Sequence, residues 1–178
     1  MALALKKFQL LCEKIMDAIS ELKSLCWDVN KLQADLIKLG DDILRQTGSF
    51  SAWIRCYLFG CRLPFQNLAD RAEVLDARVA NMKSTLDRFR KNQLNQLNGE
   101  DRQVFDLLCE FTDALAWTAS ILKTNQAKYL AGSLGKRWVS FREVNEGGKQ
   151  YNDSMRRYLE VAGRLQPHTD RIFKENGT

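Results

Sequence analysis

From Phe8 an apolar side chain returns at every seventh position, at Phe8, Ile15, Leu22, Val29, Leu36 and Ile43. A second series runs three residues behind it, at Leu11, Ala18, Leu25, Leu32 and Leu39. An α-helix brings i, i+3 and i+7 to one side, because each turn takes 3.6 residues. The pattern predicts one helix from Leu3 to Arg45, a rod of roughly 65 Å at a rise of about 1.5 Å per residue. One flank of these rails reads Cys12, Ile19, Cys26, Gln33 and Gly40, and the other reads Lys14, Glu21, Asp28, Asp35 and Asp42. A two-stranded coiled coil charges both flanks. Here the first flank is largely apolar, and Met16, Ile37 and Leu44 widen the stripe, so the rod is expected to lie between two neighbours in a bundle. Thr47-Gly48 supplies its end, since glycine accepts the left-handed cap conformation.

Three further helices follow from the same period. The second opens around Pro64 and runs on Phe65, Ala72, Val79 and Leu86 against Leu68, Leu75, Met82 and Phe89. Its pattern then slips to Leu94 and Leu97, and Asn98-Gly99 closes it. The third starts at Glu100-Asp101, where acids complement the helix dipole. It carries Val104, Leu108, Phe111, Leu115, Leu122 and Tyr129, with Phe105, Leu107 and Ile121 broadening the face, so it is expected to be the most buried. Gly132-Ser133-Leu134-Gly135 marks the break after it. The fourth runs from Phe141 through Val144, Gly148, Tyr151, Met155, Tyr158, Ala162 and Leu165 to Ile172. On this reading Gly148 sits on the apolar stripe, either admitting a close neighbour or, with Gly147, breaking the helix, and Pro167 kinks or ends it by removing a hydrogen bond.

The expected fold is therefore all-α: one domain over residues 1–178, an elongated up-down-up-down four-helix bundle of long helices. The connection between the first two helices is the exception to an ordinary solvated loop. Residues 50–65 read FSAWIRCYLFGCRLPF, too apolar for a surface connection. The bland reading is a short helical cap on the end of the bundle. The functional reading makes Trp53, Ile54, Arg55, Tyr57, Leu58, Phe59 and Arg62 a contact surface for a partner or a membrane.

Composition adds constraints rather than a function. Hydrophobic residues make up 45% and charged residues 28%, ordinary values for a globular chain. The net charge is +5, but residues 1–48 carry seven basic and seven acidic groups, and residues 132–178 carry nine and six. The clusters Arg88, Arg90 and Lys91, then Lys136 and Arg137, then Arg156 and Arg157 are scattered. A nucleic-acid binder concentrates such charge on one face, so nucleic acid is not the expected partner. Five cysteines, without CxxC spacing, fit a reducing compartment, and a Cys56–Cys61 disulfide is the less favoured alternative. The N-terminal residues lack the pattern of a secretory signal, and no stretch is long and apolar enough for a span. A cytoplasmic protein, with peripheral membrane contact as the alternative, is expected.

Catalytic chemistry finds little footing. His168 is the only histidine, so one residue would have to serve any Ser-His or Cys-His site, and a di-iron bundle needs two. The run Gly132 to Lys136 departs from a phosphate-binding loop: Leu130 stands at the first glycine, Arg137 replaces Ser/Thr, and a helix precedes. Neither metal nor cofactor is expected. Cell-death proteins of the HeLo type and bacterial membrane-targeting domains are similar in using four-helix bundles, a likeness of architecture that carries no residue across. The expected function is a non-enzymatic binding or assembly module for a protein partner, or for a second copy of the chain. The alternative is a bundle that associates with anionic membranes through residues 50–65.

Overall fold

The computed structural model describes residues 2–47, 51, 54 and 65–174. Four long helices account for nearly all of them: α1 (Ala2–Thr47), α2 (Phe65–Asn92), α3 (Gly99–Ser133) and α4 (Phe141–Lys174). A 3-10 turn, Leu94–Gln96, lies between α2 and α3. The described residues contain no strand. The all-α four-helix architecture expected from the heptads is the one observed.

Both rails of α1 are buried from Ala18 onward, through Leu22, Leu25, Val29, Leu32, Leu36, Leu39 and Ile43. On α2, Phe65, Leu68, Ala72, Leu75, Val79, Leu86 and Phe89 are buried, and Met82 is half-buried. Its helix ends at Asn92, before Leu94 and Leu97, which pack against the core from the turn. The widening of the α1 stripe is overturned: Met16 is 63% exposed, and Ile37 and Leu44 are exposed with it. The stripe widens on the other side alone, through Cys26, Gly40 and the half-buried Ile19. A helix needs only about 100° of apolar surface to face its neighbours, and residues on the far edge stay in solvent.

Ion pairs and ring contacts show how the helices run. Asp42 meets Arg71 at 2.9 Å and Asp35 meets Arg78 at 2.5 Å, so α1 and α2 run in opposite directions. Asp76 with Lys123 (2.8 Å), Lys83 with Asp113 (2.7 Å), and Phe89 with Phe105 (centroids 5.1 Å apart) do the same for α2 and α3. Phe111 with Tyr158 (5.2 Å) and Asn125 with Gly147 (3.3 Å) oppose α3 and α4. Exposed ion pairs are each worth little; the energy lies in the apolar layers between them. The third helix has the broadest buried face, with Val104, Phe105, Leu108, Phe111, Ala114, Leu115, Ala119, Leu122 and Tyr129. It packs mainly on α2 and α4, whereas α1 lies on α2 and α3 and barely touches α4.

The turns are specified locally. Asn98 caps α3 by accepting from the Asp101 amide at 2.8 Å. Arg102 then donates to the carbonyls of Leu94 and Leu97 at 3.2 and 3.1 Å, which satisfies the connection from α2. Ser140 and Glu143 form a capping box at the start of α4: the Ser140 amide donates to Glu143 at 2.9 Å, and the Glu143 amide donates to Ser140 Oγ at 3.2 Å.

Two expectations for the fourth helix fail. It is continuous through Gly147-Gly148, and it does not end at Pro167. Late in a long helix with packed neighbours, one lost backbone bond does not outweigh the burial of Leu165 and Ile172 on either side. Its inner face is also turned by one residue. Gly147, Ser154, Tyr158, Val161 and Leu165 are buried, whereas Gly148 is exposed and Met155 and Ala162 are half-buried. A Cβ at Gly147 would stand 2.6 Å from Tyr129 Oη and 2.9 Å from Asn125 Nδ2, but nothing lies within 4 Å of one at Gly148.

Candidate functional site

Of the contact residues expected from the sequence, Trp53, Arg55, Tyr57, Leu58, Phe59 and Arg62 lie outside the described residues, as do Cys56 and Cys61. Ile54 is helical and half-buried. The anchor points of the segment are described. It leaves the end of α1 at Thr47 and rejoins the bundle at Phe65, the first residue of α2. Phe65 is buried in a small cluster with Tyr129 of α3 and Val139 of the α3–α4 connection, flanked by Leu130 and Val144. Phe65, the first residue of α2, and the α3–α4 connection therefore share one end of the described bundle.

That connection is built to display side chains. Gly135 takes φ 69°, the left-handed conformation glycine accepts without a Cβ clash, and its amide donates to Gly132 at 3.0 Å. The reversal leaves Leu134 on the outside, 55% exposed. Val139 then turns inward to full burial, so its neighbour Trp138 faces out, 62% exposed. Beside them a shallow depression of about 380 Å³ lies between α2 and α3. Leu130, Leu134 and Ala131 supply its apolar part, and Asp70, Glu73, Lys123 and Lys136 its charges.

The electrostatics of this end are mixed. Lys123 is raised above the ordinary ammonium value, first by its hydrogen bond to Asp76 and then by that carboxylate's charge. Glu143 is lowered, first by the Ser140 amide, with the Arg137 charge assisting. Arg137 is paired to Glu143, which leaves Lys136 as the cation of the expected cluster without an ion pair among the described residues. The Tyr129 hydroxyl beneath is pushed up to about 12 by burial and then by the Glu143 charge. This surface is suited to recognition: exposed apolar groups surrounded by charges of both signs.

Among the described residues, groups with reactive chemistry are not assembled elsewhere. His168 is half-buried near the far end of α4. Cys26 and Cys109 are free thiols pushed up to about 12 and about 11 by burial, the opposite of an activated nucleophile. Among the described residues no group of three His, Cys, Asp or Glu side chains could hold a metal, and no helix is long and apolar enough to cross a membrane.

Sequence reasoning missed Leu134 and Trp138. Their signal is local: the Ser140-x-x-Glu143 box fixes where α4 begins, which places Trp138 outside any helix, directly after a glycine turn. No protein-family model matches the chain, and no curated protein or solved structure is significantly similar to it.

Proposed function

We propose that this protein is a non-enzymatic binding module that docks a protein partner through the end of the bundle carrying Leu134 and Trp138. The observation that supports this reading is the exposure of those two side chains beside a depression whose charges are of both signs. Trp is the commonest energetic anchor of protein interfaces, and a mixed-charge rim selects a partner with a complementary pattern. Trp53, Arg55 and Tyr57 belong to the aromatic segment that runs in sequence between Thr47 and Phe65, and Phe65 lies at this end. Co-purification of tagged protein from its host, compared between wild type and Trp138→Ala, Leu134→Ala, Trp53→Ala and Tyr57→Ala, tests it. A species lost with the variants while helical circular dichroism is retained supports docking. Unfolding of the variants identifies a structural cap and removes the proposal.

The second reading is association with an anionic membrane surface. Trp138 beside Lys136 and Arg137, with Arg55 and Arg62 in the segment that precedes Phe65 in the sequence, favours it. Asp70 and Glu73 on the same surface, and the pairing of Arg137 with Glu143, weigh against it. Flotation with vesicles containing phosphatidylserine separates the two. Membrane binding would weaken with salt and fall in Arg55/Arg62 charge reversals; absence of co-flotation ends this reading and leaves the first intact.

A further inference from the structure

The heptad of α1 starts in the sequence well ahead of Ala18, the first buried residue of the helix among those described. Ala18 and Leu22 are fully buried, but Glu13, Lys14, Met16 and Asp17 are exposed and Ile15 is half-buried. Gln93, just past the end of α2, donates to Glu21, and the final buried residue of α4 is Ile172. The helical stretch 2–17, an arm of roughly 24 Å, therefore precedes Ala18, the first buried residue of α1 among those whose side chains are described. Its sequence keeps the apolar period, with Phe8, Leu11 and Ile15, and carries Lys6, Lys7 and Lys14.

At that same end, α1 and α4 leave a groove between them. The two helices meet at Gly40 and Tyr151, where the missing Cβ admits the phenol ring. Nearer the arm they are separated by a groove of about 420 Å³ floored by Val29, Phe111 and Leu165. Its rims carry Trp27, 57% exposed, and Phe173, 48% exposed. Asp170 is the charged residue lining it, and it makes no ion pair among the described residues.

We propose that the arm of a second copy of this chain occupies this groove, reciprocally, in a two-fold dimer. Three observations select that occupant. The arm is a helix with an apolar stripe and excess lysine, and the groove is apolar with a carboxylate that makes no ion pair among the described residues. The flank of α1 repeats every seven residues on both sides of Ile19, as Leu5, Cys12, Ile19, Cys26 and Gln33, and the last two line the groove. Antiparallel pairing of two α1 helices centred on Ile19 sets Cys12 of one copy against Cys26 of the other and seats each arm beside the other's α4. A closed dimer requires such self-complementarity, whereas a parallel pair would align Lys6, Lys7 and Lys14 with their own copies.

Light scattering coupled to size exclusion tests this on the full chain. The mass should rise with concentration from 20.5 kDa toward twice that value. Phe8→Asp in the arm, and Trp27→Ala with Phe173→Ala at the groove, should each weaken association by about tenfold or more, as loss of aromatic anchors does. Helical circular dichroism should be unchanged. The decisive arm mixes the two variants: the intact arm of one fits the intact groove of the other, so the mixture should associate more tightly than either variant alone. A wild type that stays monomeric at all concentrations overturns the proposal. So does association that survives the groove substitutions, or a mixture that fails to associate. Trp138→Ala should leave the mass unchanged, which keeps this result separate from docking at the other end.

Discussion

Adjacent glycines in α4 should respond to alanine with opposite signs. Gly148→Ala meets nothing within 4 Å, so it receives only the propensity gain of a helix interior, about 0.5–1 kcal/mol. Gly147→Ala receives the same gain but drives a methyl to 2.6 Å from Tyr129 Oη and 3.1 Å from Asn125 Cγ. Both neighbours are held: Tyr129 and Asn125 are buried, and Asn125 donates to the Gly147 carbonyl at 3.3 Å. Overpacking of this kind costs about 1–3 kcal/mol, and separating Asn125 from that carbonyl adds about 1–3 kcal/mol for a buried amide left unpaired. The net loss for Gly147→Ala is then about 1–5.5 kcal/mol after the propensity gain. The two variants should differ in melting temperature by several degrees, at about 2–4 °C per kcal/mol for a chain of this size. Urea denaturation followed by far-UV circular dichroism measures both. Stabilisation by both substitutions, or a greater loss at Gly148, would show that α4 turns a different face toward α3 and refute the contact of Gly147 with Tyr129 and Asn125.

Other expectations rest on the same packing. Leu25→Ala and Leu32→Ala, fully within the α1 core, should each cost about 2–5 kcal/mol in chemical denaturation. Asp28→Ala or Lys31→Ala, which removes one member of an exposed 3.8 Å pair, should change stability by no more than about 0.5 kcal/mol. Pro167→Ala should stabilise the continuous α4 by about 1–3 kcal/mol, since it restores a backbone donor on an exposed surface; destabilisation would reveal a packing role for the ring. Glu143 titrates below its ordinary value because the Ser140 amide bonds its charged form. Its contribution is therefore present above the unfolded value of 4.5 and disappears as pH falls through the lower folded value. Glu143→Gln should flatten that acid limb, and Ser140→Ala should cost about 0.5–2 kcal/mol through the lost cap; unchanged acid limbs in both would exclude the box as a stabilising element.

The helices were legible in the sequence because each buries one narrow stripe and a heptad records it directly. Every rail residue of α1 from Ala18 to Ile43 is buried where the period puts it. The breadth of α3 was legible too, since Phe105 is apolar off the main rail and is fully buried there. Sequence spacing could not choose the face of α4. Gly147 and Gly148 are identical as letters, and only Tyr129 and Asn125, brought there by the antiparallel packing of α3, distinguish them. The same holds for Pro167, whose local penalty is real but is outweighed by burial that depends on all the neighbouring helices. The candidate surface divides in the same way. The glycine turn and the Ser140-Glu143 box are local and readable. That Leu134 and Trp138 face outward beside the anchors of the aromatic segment was decided by tertiary structure, because exposure depends on what the fold brings alongside.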